Sequence, residues 1–354
     1  MLTRTKDLVQ QFVGDRHTPG AVMLVGCKGR TFGPYAMGYT SFFPNPRPVT
    51  EDVIYDLASV TKVVATTTAV LLLLEDGALS LNDTLGCFYS GVPADKAETP
   101  IWQLMTHTSG IPQKEFFREL KSPSEVEEYI LNTELAFSPG TDVLYSCLNF
   151  VLLSKIIEKC ASMPFDVFVK KHILEPLGME NTYHNPPAEL HDRVAYTEWC
   201  PMERRFICGQ VHDENSRFLG GVSGNAGLFA TAGDLGIFAS MLLQEGAHNN
   251  RQFLHPTSVG LLNTNYTPQL SENRGIGWLM KGKGFCSGGD LISSRAFGHT
   301  GFTGTSLWID AELEAYFILL TNRVHPSRTN EGLIRFRPKF HNTAIAELGE
   351  ILGG

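Results

Sequence analysis

From Val63 to Leu74 the chain contains no proline and no charge, and its only polar residues are three threonines. A helix that is apolar nearly all round must be buried, so the fold has to be wrapped around this stretch. Gly77 supplies the left-handed residue that ends it. Just upstream runs Leu57-Ala58-Ser59-Val60-Thr61-Lys62, which places Ser59 in the first turn and Lys62 three residues later on the same face. A helix N-terminus offers free N–H groups and partial positive charge. A hydroxyl there with an amine in reach is one way to make a serine nucleophilic without histidine. An amine buried beside a hydroxyl is also expected to lose its proton more easily than a free one. The plainer alternative makes Ser59 an N-cap and Lys62 a solvated side chain.

A chain of 354 residues can bury a large core as one big or two interlocked lobes. Its net charge of -8, without a basic run, argues against a nucleic-acid partner. The segment Met1–Gln11 lacks the apolar centre of a signal peptide, and no apolar run is expected to reach the length of a membrane span. Seven cysteines without paired spacing suit reduced thiols, so a cytoplasmic location is expected. No metal-ligand motif and no cofactor fingerprint is present, and neither a metal nor a cofactor is expected.

The pattern along the chain predicts an amphipathic helix to about Val13, then a hairpin of Gly20–Gly26 with Thr31–Tyr39. From Gly77 to about Asn215 the pattern is mainly helical. One helix is predicted after a Thr99 cap, others over Asn149–Cys160 and Phe165–Ile173. Strands are predicted at Gly275–Met280, Ala296–His299, Thr305–Asp310 and Ala315–Thr321, with a last helix over Phe340–Leu352. The expected fold class is therefore α/β of the α+β kind: a sheet built from both termini and flanked by helices, with an all-helical insertion. In residues, 1–76 and 215–354 form the sheet domain, 77–214 the insertion, and the active site lies between them.

Two further stretches supply what Ser59 needs. Tyr145-Ser146-Cys147-Leu148-Asn149 lies in a loop after a turn, and Tyr145 can shuttle a proton if cations lower its pKa. His299-Thr300-Gly301-Phe302 offers Gly301, where a substrate can approach the strand closely. It also offers the Phe302 N–H, which can pair with that of Ser59 as an oxyanion hole. The plainer readings are a core tyrosine and a hairpin turn. Gly221-Val222-Ser223-Gly224-Asn225 nearly matches G-x-S-x-G, but Asn225 takes the last position and no strand precedes it.

In this order, S-x-x-K, then Y-S-x, then H-T-G, the chain resembles serine hydrolases with the class C β-lactamase and penicillin-binding-protein fold, including family VIII esterases. Phrases such as Leu104-Met105-Thr106-His107-Thr108-Ser109-Gly110 and Gly227-Leu228-Phe229-Ala230-Thr231-Ala232-Gly233 extend the resemblance from about Gly20 to Arg323. It implies an antiparallel sheet, Ser59 as acylated nucleophile, and Lys62 and Tyr145 sharing general-base work. It implies that His299 holds the Tyr145 network or a substrate carboxylate, beside Thr300 and Gly301. Phe302 and Ser59 would hold the oxyanion. Where the family carries Asn after Y-S, this chain has Cys147, with Asn149 or Gln103 as possible substitutes for that contact. His212 and Asp213 belong to a phrase found in bacterial members and are candidates for lining the pocket. His107 reads as structural.

The expected activity is a carboxylic ester hydrolase working through an acyl-enzyme on a small-molecule ester. The enzymatic alternative is an amidase or peptidase on D-amino-acid or muropeptide amides, with weak β-lactam turnover. A non-catalytic binding protein is the third reading, and the joint presence of Ser59, Lys62 and Tyr145 argues against it.

Overall fold

In the computed structural model, which describes residues 1–113, 117 and 120–352, β1 (Gly20–Cys27) and β2 (Arg30–Gly38) form the predicted hairpin. They join β3 (Leu279–Met280), β4 (Phe297–Thr300), β5 (Ser306–Asp310) and β6 (Ala315–Thr321) in one sheet of order β3-β4-β5-β6-β1-β2. Every pairing is antiparallel. The first and last strands of the sequence thus lie side by side, Val22 opposite Leu320. Residues 353 and 354, which close the predicted sheet domain, lie outside the described residues.

β1 is buried along its whole length because both faces are covered. Ala21, Met23 and Val25 face a core shared with helices α1 (Thr3–Gly14) and α5 (Gly332–Leu352), through Val9, Phe12, Phe336 and Phe340. Val22 and Leu24 point the other way, into the larger core that holds α2 (Thr68–Glu75), α3 (Cys147–Ala161) and α4 (Ala232–Leu243). The alternation is the ordinary period of two, read here on a strand with no wet face.

The apolar stretch is one continuous helical run with an uneven pitch. A tight turn at Ala58–Val60 leads into a wide turn over Lys62–Thr67 and then into α2. The run Ala58–Glu75 is long and apolar enough to cross a membrane, which corrects the expectation that no stretch reaches that length, but 78% of it is buried inside the protein. The Gly-dense segment explains how other chain segments come so close to it. A Cβ on Gly224 would lie 2.2 Å from the Phe150 carbonyl oxygen of α3, and Thr66 Oγ1 donates to the Gly224 carbonyl at 2.7 Å.

Three boundaries differ from the sequence expectation for local reasons. α5 starts at Gly332 rather than near Phe340, because Pro338 is accommodated inside the helix. β3 is only two residues long, because Gly277 turns to φ +80° and a Cβ there would sit 2.0 Å from Thr67 Oγ1. The helix at Ile101–Met105 has Pro100 at its N-cap and no side-chain cap, so Thr99 does not play that part.

Candidate active site

Ser59 sits on a turn held from both sides. The preceding residues Tyr55 and Asp56 form a short strand paired with Phe229 and Ala230. Ala58 then adopts φ +45°, a left-handed conformation unusual for alanine. The Asp56 carboxylate holds that strained residue, with Oδ1 accepting from Ala58 N at 2.8 Å and Oδ2 from His212 N at 2.7 Å. Burial pushes the Asp56 carboxyl above its usual range, although both N–H groups favour the charged form. From the other side, Thr303 Oγ1 donates to the Asp56 carbonyl at 2.6 Å and Thr305 Oγ1 to the Leu57 carbonyl at 2.9 Å.

Lys62 is fully buried, and its Nζ has three acceptors: Ser59 Oγ at 3.0 Å, Asn225 O at 2.9 Å and Cys147 Sγ at 3.3 Å. Three acceptors suit the three N–H bonds of an ammonium. Burial works against the charge, but Cys147 and Tyr145 outweigh it and hold the amine above its ordinary value. The expectation that Lys62 loses its proton easily is therefore corrected. Burial alone would have that effect, but this amine is not left unpaired.

The Tyr145 hydroxyl donates to Ser59 Oγ at 2.8 Å. Burial pushes its pKa up, against the lowering pull of Lys62. Tyr145 lies just before α3, whose N-cap Ser146 accepts from Leu148 N at 3.3 Å. His107 fixes the tyrosine's position more than its own helix end. Its Nδ1 accepts from Ser146 N at 3.1 Å, its carbonyl from Leu144 N at 2.9 Å, and its ring lies 4.5 Å from the Tyr145 ring. Burial holds His107 neutral, well below its usual range.

The amides of Ser59 and Phe302 donate to no described residue, as an oxyanion hole requires. Gly301 has a different role from the expected one. A Cβ there would lie 2.1 Å from Thr305 Oγ1 and 2.4 Å from the Leu57 carbonyl oxygen, so its bareness lets β4 dock on the nucleophile turn rather than on a substrate. Thr300 ends β4 opposite Ser306. The buried His299 turns Nδ1 to the Thr300 carbonyl at 2.9 Å and meets Tyr145 only as a ring, 6.0 Å between centroids. Burial, with Lys62 and Arg274 nearby, holds it neutral, so it is not a cation for a carboxylate. The buried cation that faces the Tyr145 ring is Arg274, with its guanidinium carbon 5.7 Å from the centroid.

Cys147 is nearly buried and aims its thiol at Lys62, while Asn149 is fully buried on Ser109 and His107. Gln103 is packed against Gly140 and has no described contact with Ser59, Lys62 or Tyr145, so neither amide replaces the missing one. Asp213 supports the site at one remove. Its Oδ1 accepts from Asn225 Nδ2 at 3.2 Å, and the Asn225 carbonyl receives Lys62. The His212 ring stacks on Phe302 at 5.7 Å and meets Glu198 at 2.9 Å. Glu198, drawn down to about 2 by His212 and Arg328 against the opposing effect of burial, stays ionised beside them. Asp56, Asn225, Arg274 and the positioning role of His107 are what sequence reasoning missed. Only Asp56 left a signal, as a lone acid inside an apolar run leading to Ser59.

The Ser59 oxygen thus receives two donors, beside two free amides. Removal of one proton from the Lys62–Tyr145 pair gives an acceptor for the serine proton. That arrangement supports attack on a carbonyl and formation of an acyl-enzyme.

The model of the family described as Beta-lactamase matches residues 5–338. A protein of Salmonella enteritidis PT4 named "Putative D-alanyl-D-alanine carboxypeptidase" is 31% identical over 329 residues, covering 84% of this chain and 76% of its own. Among solved structures, a class C beta lactamase superposes with a TM-score of 0.78 at 18% identity, covering 98% of this chain and 97% of its own. EstCE1, described as a hydrolase with promiscuous acyltransferase activity, gives a TM-score of 0.73 at 20% identity, covering 95% and 98%. At these identities the two structures show the shared fold.

Proposed function

This chain belongs to the beta-lactamase family of serine hydrolases, and from that premise we propose that its main substrates are small carboxylic esters, cleaved through an acyl-enzyme on Ser59. The observation that carries the ester preference is the Cys147 thiol, 3.3 Å from Lys62 Nζ. A side-chain amide at that place would offer two donors and an acceptor to the amide flanking a scissile peptide or β-lactam bond. A thiol is a weak donor and a weak acceptor. A simple ester has no flanking amide and does not register the difference.

A second reading, a carboxypeptidase acting on D-alanyl peptides, is favoured by Arg274. It is buried beside Tyr145, and its carboxylate partner Glu272 is half exposed, so a substrate carboxylate could take up that charge. The name carried by the Salmonella relative points the same way. Turnover of p-nitrophenyl esters, D-Ala-D-Ala peptides and nitrocefin, measured side by side, separates the two. Esters are expected to have the highest kcat/KM, and faster release of D-alanine would install the second reading. A cytoplasmic location is part of the proposal, supported by seven free cysteines. Secretion of the protein by its native host would overturn it.

A further inference from the structure

Arg337 on α5 is buried, and no carboxylate pairs with it among the described residues. Its Nη2 donates to the Gly301 carbonyl at 3.0 Å and to the Thr305 carbonyl at 2.9 Å, while its Nε has no partner. A buried guanidinium without a counter-ion is costly, and burial draws this one down to about 9. The fold retains it and spends it on two backbone oxygens. The Gly301 oxygen also receives Gly304 N at 3.1 Å, so it is already satisfied without the arginine.

The Gly301 carbonyl and the Phe302 N–H are the two ends of one peptide group. A charged donor on the oxygen draws electron density along that group and leaves the N–H a stronger donor. We propose that Arg337 is a positioning residue for catalysis, which polarises the Gly301–Phe302 peptide from behind so that the Phe302 amide binds the oxyanion more tightly than a neutral turn would. The same two bonds fix the 301–305 turn whose threonines hold the Ser59 turn. The arginine touches no reacting atom. Its effect is largest when negative charge has built up on the substrate oxygen, and small on the uncharged ester.

The inference rests on Ser59 being acylated, and labelling of the wild-type enzyme by a fluorophosphonate tests that separately. Arg337→Met is expected to lower the acylation rate on p-nitrophenyl acetate about tenfold, less than the loss of a whole oxyanion donor. KM should move less than twofold, and phenylboronic acid, a mimic of the tetrahedral state, should bind about tenfold more weakly. The carbonyl stretch of the acetyl-enzyme should move to higher wavenumber, and Arg337→Lys should fall between. Wild-type rate and boronate affinity in Arg337→Met would overturn the proposal. So would a rate loss that matches a fall in the number of sites titrated by the fluorophosphonate, because that is a purely structural defect. If Arg337→Met does not fold, the same measurements on Arg337→Lys decide: intermediate losses support polarisation, and unchanged values reject it. A wild-type enzyme that fails to label sinks the acyl-enzyme reading itself.

Discussion

The two sides of Ser59 are built on different plans. On the proton side, side chains do the work: Lys62 and Tyr145 both reach the serine oxygen, and Cys147 and Asn225 complete the lysine's shell. On the oxyanion side the working groups are two backbone amides, and the side chains serve to place them: Asp56, Thr303, Thr305 and Arg337. Chemistry that moves protons needs particular side chains. Chemistry that stabilises charge needs particular geometry, and many side chains can supply that. Losses on the first side should be large and non-additive, and losses on the second graded.

The most severe test of that contrast is Ser59→Ala, which belongs to both sides. Turnover of p-nitrophenyl esters should fall by roughly 10⁴-fold or more, and intact mass should show no fluorophosphonate adduct. An adduct on the variant would remove Ser59 from its role.

Next come Lys62→Ala and Tyr145→Phe. Each should cost about 10²–10⁴-fold in acylation, and the double variant little more than either. Effects that simply multiply in the double variant would break the idea of a shared unit. The pH profile sharpens the same point. Both groups sit above their ordinary values, so both hold their protons at neutral pH and the form lacking one proton is scarce. That form grows as pH rises, so kcat/KM should climb steadily towards the ordinary lysine and tyrosine range near about 10. A plateau reached below neutrality would contradict the charged lysine.

On the oxyanion side, Asp56→Ala should destabilise the fold by about 1–3 kcal/mol, because two buried N–H groups lose their acceptor. Denaturant unfolding measures it. Acylation should slow by about tenfold while fluorophosphonate labelling persists. Complete loss of labelling in a folded variant would place Asp56 in the chemistry rather than behind it.

The smallest effect is expected from Cys147→Asn. It should raise kcat/KM for amide-bearing substrates by about one hydrogen bond, about 1 kcal/mol, and leave acetate esters nearly unchanged. An equal gain on both substrate types would mean that residue 147 acts through Lys62 and not on the substrate.

The same division explains what the sequence disclosed. Ser59 and Lys62 were legible because one helical turn brings them together, so spacing is enough. The hairpin β1–β2 and the strands after Ala296 were legible from their apolar runs and the turns between them. Arg337 lies 36 residues beyond Gly301, on a helix whose Pro338 disguised its start. A donor to a backbone carbonyl asks nothing of the sequence at the receiving end, so no motif records the contact. Asn225 was passed over because its contribution to Lys62 is a carbonyl oxygen, which any residue carries. His299 and Gly301 were found by pattern but misread in role. Pattern locates the turn without saying that the histidine is neutral or that the glycine's bare side faces Leu57.

The wide turn at Lys62–Thr67 has a consequence for heredity rather than for chemistry. Wide turns accommodate one extra residue within a helix. Here Thr67 Oγ1 donates to the Lys62 carbonyl at 2.9 Å and Thr68 Oγ1 to the Val63 carbonyl at 3.2 Å, each reaching back five residues. The lysine's phase around the helix axis is therefore set apart from that of the leucines that follow it. Across lineages, the packing of residues 69–74 is free to drift, codon by codon, without turning Lys62 away from Ser59. Loss of a single codon between 63 and 67 would instead rotate the one against the other by about 100°. Substitutions should accumulate along this stretch, and changes of length should be purged from it.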